Sequence, residues 1–147
     1  MFSSDSLSDD NVMELQTTQT KAFRTMVSTL TDILVDTNIR FTPEGMFITD
    51  IDGNQSMCID VALSAENFEH YICPQNIQIG VPVANLAKLI GSASSTDVLS
   101  ICIKKDDFTD GAVSHLSINL SSGSGQRRQH MRLVLIDVDT GGFPPIP

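Results

Sequence analysis

The sequence predicts an α+β domain in which a βαβββ unit occurs twice, with two helices packed on one side of an antiparallel sheet. Two segments carry the helical pattern of apolar residues, residues 20–34 and 83–90, and their starts lie about 63 residues apart. Each helical segment follows one strand-like segment and precedes three others. A chain of 147 residues is long enough to form one such domain with a sizeable core.

The first unit begins with a predicted strand and continues into the longer helix. Apolar residues recur at helical spacing from Phe23 to Leu34, and Thr20 stands where its hydroxyl can cap the helix. Apolar and polar residues alternate in the segments that follow, most clearly around Ile59 and Val61. The strands of this unit are predicted at residues 12–17, 35–41, 46–50 and 57–63.

The second unit repeats this order with a shorter helix. Pro82 suits a first helical turn, where a missing N–H is tolerated, and Gly91 directly follows the last apolar residue of the helix. The segment 106–114 is predicted as an acidic loop, and 121–129 as a flexible basic loop. The strands of this unit are predicted at residues 76–81, 98–103, 115–120 and 131–138.

Both ends of the chain differ in composition from this domain, which is predicted over residues 12–138. Residues 1–11 are acidic and rich in Ser, which is typical of a disordered tail. Residues 139–147 (DTGGFPPIP) are rich in Gly and Pro, which is typical of an extended connection between domains. We therefore expect that the chain is a fragment, or that a second domain once followed it.

Charge and cysteine content restrict the class of protein. The net charge of −9 argues against binding nucleic acid by bulk attraction, but not against gathering a few cations on one surface. Cys58, Cys73 and Cys102 are odd in number and far apart, and no signal peptide precedes them, which indicates reduced thiols inside the cell. No apolar run approaches membrane-spanning length, so no membrane partner is expected.

The patterns that suggest an enzyme or a metal site are weak. The segment DTGG at Asp139 imitates the corner of an aspartic protease, which leaves a hydrolase using Asp139 as a remote alternative. The segment 50–54 imitates a calcium loop, but Val61 occupies the position of the bidentate Glu. The three histidines and three cysteines show no zinc spacing, and no nucleophile–base pair is evident. We therefore expect no enzyme, no metal and no cofactor.

Three cations stand out in the predicted helices of this acidic chain. Lys21 and Arg24 lie on the polar face of the first helix and Lys88 on that of the second, so packing both helices on one sheet brings all three to one surface. The alternative is an ordinary solvated face. A denser group of basic residues is interpreted as a solvated loop, with a specific anion site as the alternative. Its members are Arg127, Arg128, His130 and Arg132.

Three stretches of the chain resemble the proliferating cell nuclear antigen family, the eukaryotic and archaeal DNA sliding clamps. They are PEGMFITDIDGNQSMCIDVAL (43–63), NIQIGVPVANLAKLI (76–90) and LVLIDVD (133–139). The resemblance implies the N-terminal domain of a two-domain subunit, with the interdomain connecting loop beginning at residue 139. Three such subunits form a ring whose helices line the hole and whose antiparallel sheet lies outside. The implied partners are double-stranded DNA, a DNA polymerase and other clients with short peptide motifs, and a clamp loader.

The resemblance also assigns roles to individual residues. Arg24 and Lys88 match lysines that face DNA, and Lys21 adds a third cation nearby. Smaller residues replace three other family lysines: Thr25, Thr31 and Gly91. The implied pocket for client peptides contains Ile51, Gln55 and Cys58, with Phe143 and Ile146 from the connecting loop. The implied subunit interface contains Asn85, Leu89, Ser92 and Met131.

The function that the resemblance implies is that of a processivity factor in DNA replication and repair. The expected location is the nucleus, or the viral replication site if the chain is viral. One alternative keeps the fold and changes the partners: a clamp-like subunit of a checkpoint or viral processivity complex. For a single-domain chain, assembly stays open between a ring of six copies and a monomer.

Overall fold

A computed structural model describes residues 9–51, 58–91, 93–94, 96–122 and 127–136, with the backbone alone at 50, 51 and 58. The helices are α1 (Thr20–Thr31) and α2 (Val83–Ile90). The strands are β1 (Asn11–Thr17), β2 (Asp36–Thr42), β3 (Gly45–Ile51), β4 (Cys58–Ser64), β5 (His70–Ile72), β6 (Ile77–Pro82), β7 (Val98–Lys104), β8 (Phe108–Thr109), β9 (Ala112–Val113), β10 (His115–Ser121) and β11 (Arg128–Val134). Short 3₁₀ turns lie at Ala65–Asn67 and Lys105–Asp107.

The strands form two larger antiparallel sheets and a small hairpin. The five-stranded sheet has the order β11-β10-β7-β1-β5, the four-stranded sheet has the order β4-β3-β2-β6, and β8 pairs with β9. The first strand of each βαβββ unit therefore pairs with the other unit: β1 lies beside β7, and β6 lies beside β2. The predicted α+β class with two helices and antiparallel sheets is confirmed.

The core lies between the helices and one face of both sheets. Each helix buries one apolar face, through Phe23, Val27 and Leu30 on α1 and through Leu86 and Ile90 on α2. Alternate residues of the strands meet them, and the central strands have the most completely buried side chains. Those strand residues are Met13, Leu15, Ile39, Phe41, Met46, Ile48, Ile77, Ile79, Val81, Leu99, Ile101, Ile103, Leu116, Ile118, Leu120 and Leu133.

The predicted cap of the first helix is wrong. Gln19 occupies the N-cap position without a side-chain cap, and Thr20 is the first helical residue. The Thr20 side chain is buried, and its hydroxyl donates to the carbonyl oxygen of Asp97 at 2.6 Å. A buried hydroxyl needs a partner, and here the partner comes from the chain just before β7 rather than from the helix itself.

Several element boundaries also differ from the sequence prediction. The regular helix ends at Thr31, while Leu34 stays buried because its N–H bonds to Leu30 at 2.8 Å in a final turn. β5 was not predicted, since three residues are too few for an alternating pattern. The predicted acidic loop contains a hairpin, β8 and β9, and β11 starts three residues before its prediction. The predicted tail and connecting segment lie mostly outside the described residues.

Tyr71 joins the two larger sheets. It lies on β5 of the five-stranded sheet, and its hydroxyl oxygen is 2.7 Å from the carbonyl oxygens of both Thr42 and Gly45 at the β2–β3 turn. Burial raises the pKa of the phenol well above its usual value, so the hydroxyl stays a donor. Gly45 has a φ of +152°, and a Cβ there would lie 2.2 Å from the carbonyl oxygen of Leu63, so this turn leaves no room for a side chain.

We expect Tyr71→Phe to lower the free energy of unfolding by about 1 to 2 kcal/mol, because two turn carbonyls lose their hydroxyl partner. Urea unfolding followed by circular dichroism measures the change. Thr109→Val removes a hydroxyl from an exposed strand residue and serves as the control. Equal effects of the two substitutions would contradict the proposed link between the sheets.

Candidate functional site

The two helices lie side by side and form the layer that carries the predicted cations. Lys21 on α1 and Lys88 on α2 are exposed, and Arg24 is half-buried. The segments TKAFRTMVSTLT and VANLAKLI contain these three cations and no acidic residue, although the whole chain has a net charge of −9. The helical layer is therefore a neutral-to-basic surface on an acidic protein.

The acidic side chains lie outside the two helices. Exposed carboxylates occupy the segment before β1, the connection from α1 to β2, the β2–β3 turn, strand β4, the segment between β4 and β5, and the connection from β7 to β9, and those between α1 and β2 border the end of α1. They belong to Asp9, Asp10, Asp32, Asp36, Glu44, Asp60, Glu66, Glu69, Asp106 and Asp110. This separation of charge favours approach of a polyanion to the helical layer over approach to the strand connections.

Hydroxyl side chains fill much of the polar face of α1. The hydroxyl of Thr29 donates to the carbonyl oxygen of Thr25 at 2.9 Å, and that of Thr31 to the carbonyl oxygen of Ser28 at 2.6 Å. These donors are engaged by the helix backbone, so two of the hydroxyls are less available to an external ligand. The face therefore presents long cations among short hydroxyl side chains that bind their own helix.

Arg24 differs from the two lysines in its contacts. Its Nη1 donates to the carbonyl oxygen of Ala93, in the connection between α2 and β7. The side chain borders a groove of about 310 Å³ between the helices. The groove is lined by Arg24, Thr25, Ser28 and Thr29 from α1 and by Ala87 and Gly91 from α2 and its end.

Asp97 is the centre of a second group of contacts in the same connection. Its carboxylate accepts the N–H of Ser94 at 2.9 Å and pairs with Nη2 of Arg127 at 3.2 Å. The Ser94 amide, followed by the Ser94 hydroxyl and the Arg127 guanidinium, holds the pKa of Asp97 below its usual value. The sequence reading missed this pair because 30 residues separate Asp97 from Arg127.

The described members of the predicted interface lie at one edge of the fold. Asn85 is exposed and Leu89 half-buried on α2, and Met131 is half-buried on β11. β11 is a terminal strand of its sheet, and Val134 at its end is 65% exposed. An apolar residue on an outer strand, beside a helix, suits pairing with a further strand. Ser92 lies outside the described residues.

Most of the predicted pocket for client peptides lies outside the described residues. The backbones of Ile51 and Cys58 face each other as paired residues of β3 and β4, where the predicted hairpin closes. Their side chains, and the other three predicted members, lie outside the described residues. Those three members are Gln55, Phe143 and Ile146. The pocket stays a prediction.

Ser114, His115 and Asp107 lie together but do not form a catalytic relay. The Ser114 hydroxyl is 2.9 Å from Nδ1 of His115, and Asp107 Oδ1 is 3.6 Å from that same nitrogen. A relay needs the nucleophile and the acid on opposite ring nitrogens. Asp139, the aspartate of the hydrolase alternative, lies outside the described residues.

The described thiols and ligand groups fit no familiar reactive site. Burial raises the pKa of Cys73 to about 11 and also raises that of Cys102, which leaves both as protonated, unreactive thiols at neutral pH. Within the described ranges, no three histidine, cysteine or acidic side chains group together in a way that could hold a metal ion. None of the described helices has the length and apolar character needed to cross a membrane.

Comparisons with known proteins agree with the fold. The family model described as "Proliferating cell nuclear antigen, N-terminal domain" matches residues 12–141. A "Probable DNA polymerase sliding clamp 1" of Paramecium bursaria Chlorella virus 1 is 30% identical over 132 residues, which cover 89% of this chain and 49% of that relative.

Two proteins named "Proliferating cell nuclear antigen" are more distant relatives. That of Chaetomium thermophilum is 26% identical over 87% of this chain and 47% of its own length. That of Dictyostelium discoideum is 23% identical over 86% of this chain and 47% of its own length. The chain therefore spans about half the length of the curated relatives it matches.

We expect Asp97→Asn to make the free energy of unfolding less dependent on pH in the acid range. Because the folded-state pKa is lowered, the carboxylate stabilises the fold above its ordinary pKa of 3.8, and this contribution is lost as the pH falls below 3.8 and through the lower folded-state pKa. The Asn variant lacks the contribution at neutral pH and does not lose it in acid. Urea unfolding over a pH series measures the difference.

Asp106→Asn changes an exposed carboxylate and controls for the loss of charge. If the Asp97→Asn protein kept the acid dependence of the wild type, the assigned role of this carboxylate would be wrong.

Proposed function

The chain belongs to the proliferating cell nuclear antigen family, and from this membership we propose that it forms the N-terminal half of a sliding clamp that encircles duplex DNA. The family consists of non-enzymatic clamps, so the hydrolase alternative at Asp139 is set aside. In the proposed function the clamp tethers a DNA polymerase to its template and acts as a processivity factor. The closed ring is a homotrimer of the full-length protein.

The observation that supports a DNA-facing role is the charge of the helical layer. Its residues include three cations and no acid in a chain with an excess of nine negative charges. Lys21 and Lys88 are exposed, so their flexible stems can follow phosphates that move past them. Readout of bases uses side chains such as Asn or Gln that reach base edges in a groove of the DNA. The two helices contain one such residue, Asn85, at the edge of the fold. We therefore assign contact with the phosphate backbone, independent of sequence.

Few cations suit a protein that slides. Each phosphate contact adds to the salt-dependent affinity, and strong contacts would hold the ring in one place. With the Thr29 and Thr31 hydroxyls bonded to their own helix, the layer offers weak contacts that exchange readily. Retention in this proposal comes from the closed ring around the duplex together with these phosphate contacts.

The remaining partners are proposed by family membership alone. They are client proteins that dock a short peptide motif at the pocket of Ile51, Gln55 and Cys58, together with Phe143 and Ile146, and a clamp loader that opens the ring. Replication and repair in the nucleus is the proposed setting. The viral relative, named as a probable DNA polymerase sliding clamp, favours a viral replication site as the second candidate.

Association between subunits is proposed at the edge formed by α2 and β11. Asn85, Leu89 and Met131 lie there, and Ser92 follows α2 in the sequence. Backbone hydrogen bonds from the terminal strand β11 would extend the five-stranded sheet into a neighbouring subunit.

We expect Lys21→Glu combined with Lys88→Glu to reduce retention on circular duplex DNA by about tenfold or more, because two attractive phosphate contacts become repulsive. Retention is measured by gel filtration of the protein with nicked circular DNA, before and after the DNA is linearised. Wild-type protein is expected to stay on the circle and to leave the linear form.

Lys105→Glu, at an exposed cation in the turn after β7, is the matched control and is expected to leave retention unchanged. Equal retention on circular and linear DNA would contradict encirclement. Unchanged retention in the double variant would contradict the assignment of Lys21 and Lys88.

We also expect Asn85→Arg combined with Val134→Asp to weaken self-association by about tenfold or more, because both changes place charge at the proposed edge. Both residues are exposed, so the fold itself should tolerate the changes. Sedimentation velocity over a concentration series measures the association. Ala112→Asp, at an exposed residue of β9, is the control, and equal association of the wild type and the double variant would contradict association through this edge.

A further inference from the structure

Arg24 has a different environment from the other two cations of the helical layer. Lys21 and Lys88 are exposed, whereas Arg24 is half-buried and donates through Nη1 to the carbonyl oxygen of Ala93. Its guanidinium therefore lies against the protein backbone, while the two ammonium groups lie in solvent.

The acceptor of this bond needs a partner. Ala93 is 2% exposed and follows α2 by three residues, and its own N–H bonds to Ile90 at 3.1 Å. A buried carbonyl without a donor is strongly unfavourable. In addition, a positive charge near the carboxyl end of a helix interacts favourably with the helix dipole. Arg24 supplies both the donor and the charge at the end of α2.

The same connection receives a second bond from α1. Thr20, one turn before Arg24, donates its buried hydroxyl to the carbonyl oxygen of Asp97 at 2.6 Å. Asp97 in turn holds the N–H of Ser94 and the side chain of Arg127. Two consecutive turns of α1 are thus fastened to the segment that leads from α2 to β7, so the position of α1 beside α2 is fixed at this end.

We propose that Arg24 is a positioning residue of the DNA-facing layer and not one of its phosphate contacts. Its bond to Ala93 holds α1 against the end of α2, so that Lys21 and Lys88 share one surface. The phosphate contacts then belong to the two lysines. The statement about the lysines rests on the proposed function, whereas the bracing role of Arg24 does not.

The test compares Arg24→Met with Lys21→Met, two changes that keep an apolar stem and remove a cation from the same helix. Thermal unfolding gives the melting temperature. NMR titration with a short linear duplex over a series of NaCl concentrations gives the dependence of affinity on salt. Arg24→Lys, which keeps one donor and the charge, tests rescue by a conservative change.

We expect Arg24→Met to lower the melting temperature by roughly 3 to 8 °C and Lys21→Met to leave it unchanged. We expect Lys21→Met to reduce the slope of log affinity against log salt by about 0.9, the value for one phosphate contact. We expect Arg24→Met to leave this slope unchanged and to lower the affinity by the same factor at every salt concentration. Arg24→Lys should recover part of the lost melting temperature.

A measurement on the wild type supplements the variants if Arg24→Met does not fold. On addition of the duplex, the Nε–H resonance of Arg24 should stay in place while the amide resonances of Lys21 and Lys88 shift. An unchanged melting temperature in Arg24→Met, a slope reduced as in Lys21→Met, or a shift of the Arg24 resonance with the lysines would overturn the proposal. A wild-type chain that does not bind the duplex would contradict the proposed DNA contact, and the melting temperatures would still decide the bracing role.

Discussion

The exchange of strands between the two repeats is the constraint on which the rest of the structure depends. β1 pairs with β7 of the second unit, with Leu15 opposite Ile101, and β6 pairs with β2 of the first unit, with Ile79 opposite Ile39. Each larger sheet therefore contains strands from both units, and neither unit can complete its sheet alone. This arrangement favours folding of the two repeats as one cooperative unit.

The exchange also sets the place where each helix begins. Both helices follow an exchanged strand, so each one starts at the boundary between the units. At one boundary the hydroxyl of Thr20 donates to the carbonyl of Asp97, and at the other the N–H of Val83 donates to the carbonyl of Val35 at 3.0 Å. Each acceptor directly precedes the second strand of the opposite unit, β7 or β2. Each helix start is thus held by a bond to the opposite unit, through a side-chain hydroxyl in α1 and through a backbone N–H in α2.

The sequence predicts the elements well because burial of one face is a local property, visible as alternation in β4 or as helical spacing from Phe23 to Leu30. It does not predict which strands pair, since the partners β1 and β7 are far apart along the chain. For the same reason it assigns Thr20 to a cap and Arg24 to an open face. Residue type and helical spacing indicate which way a side chain points, but the carbonyl groups that these two side chains bind, those of Asp97 and Ala93, belong to the other unit. The pairing of Asp97 with Arg127 was missed because 30 residues separate the two along the chain.

These ties bear on how a clamp of this kind would stay on DNA. If Arg24 is held by the backbone of Ala93, the two described helices leave two exposed ammonium groups, Lys21 and Lys88, for the proposed contact with the duplex. Two phosphate contacts give an affinity that physiological salt weakens substantially. In the proposed ring, closure at the edge of α2 and β11, where Val134 is exposed, would add to the retention that these contacts provide. In this proposal the helical layer sets the strength of contact with the duplex, and the strand edge lets the ring close around it.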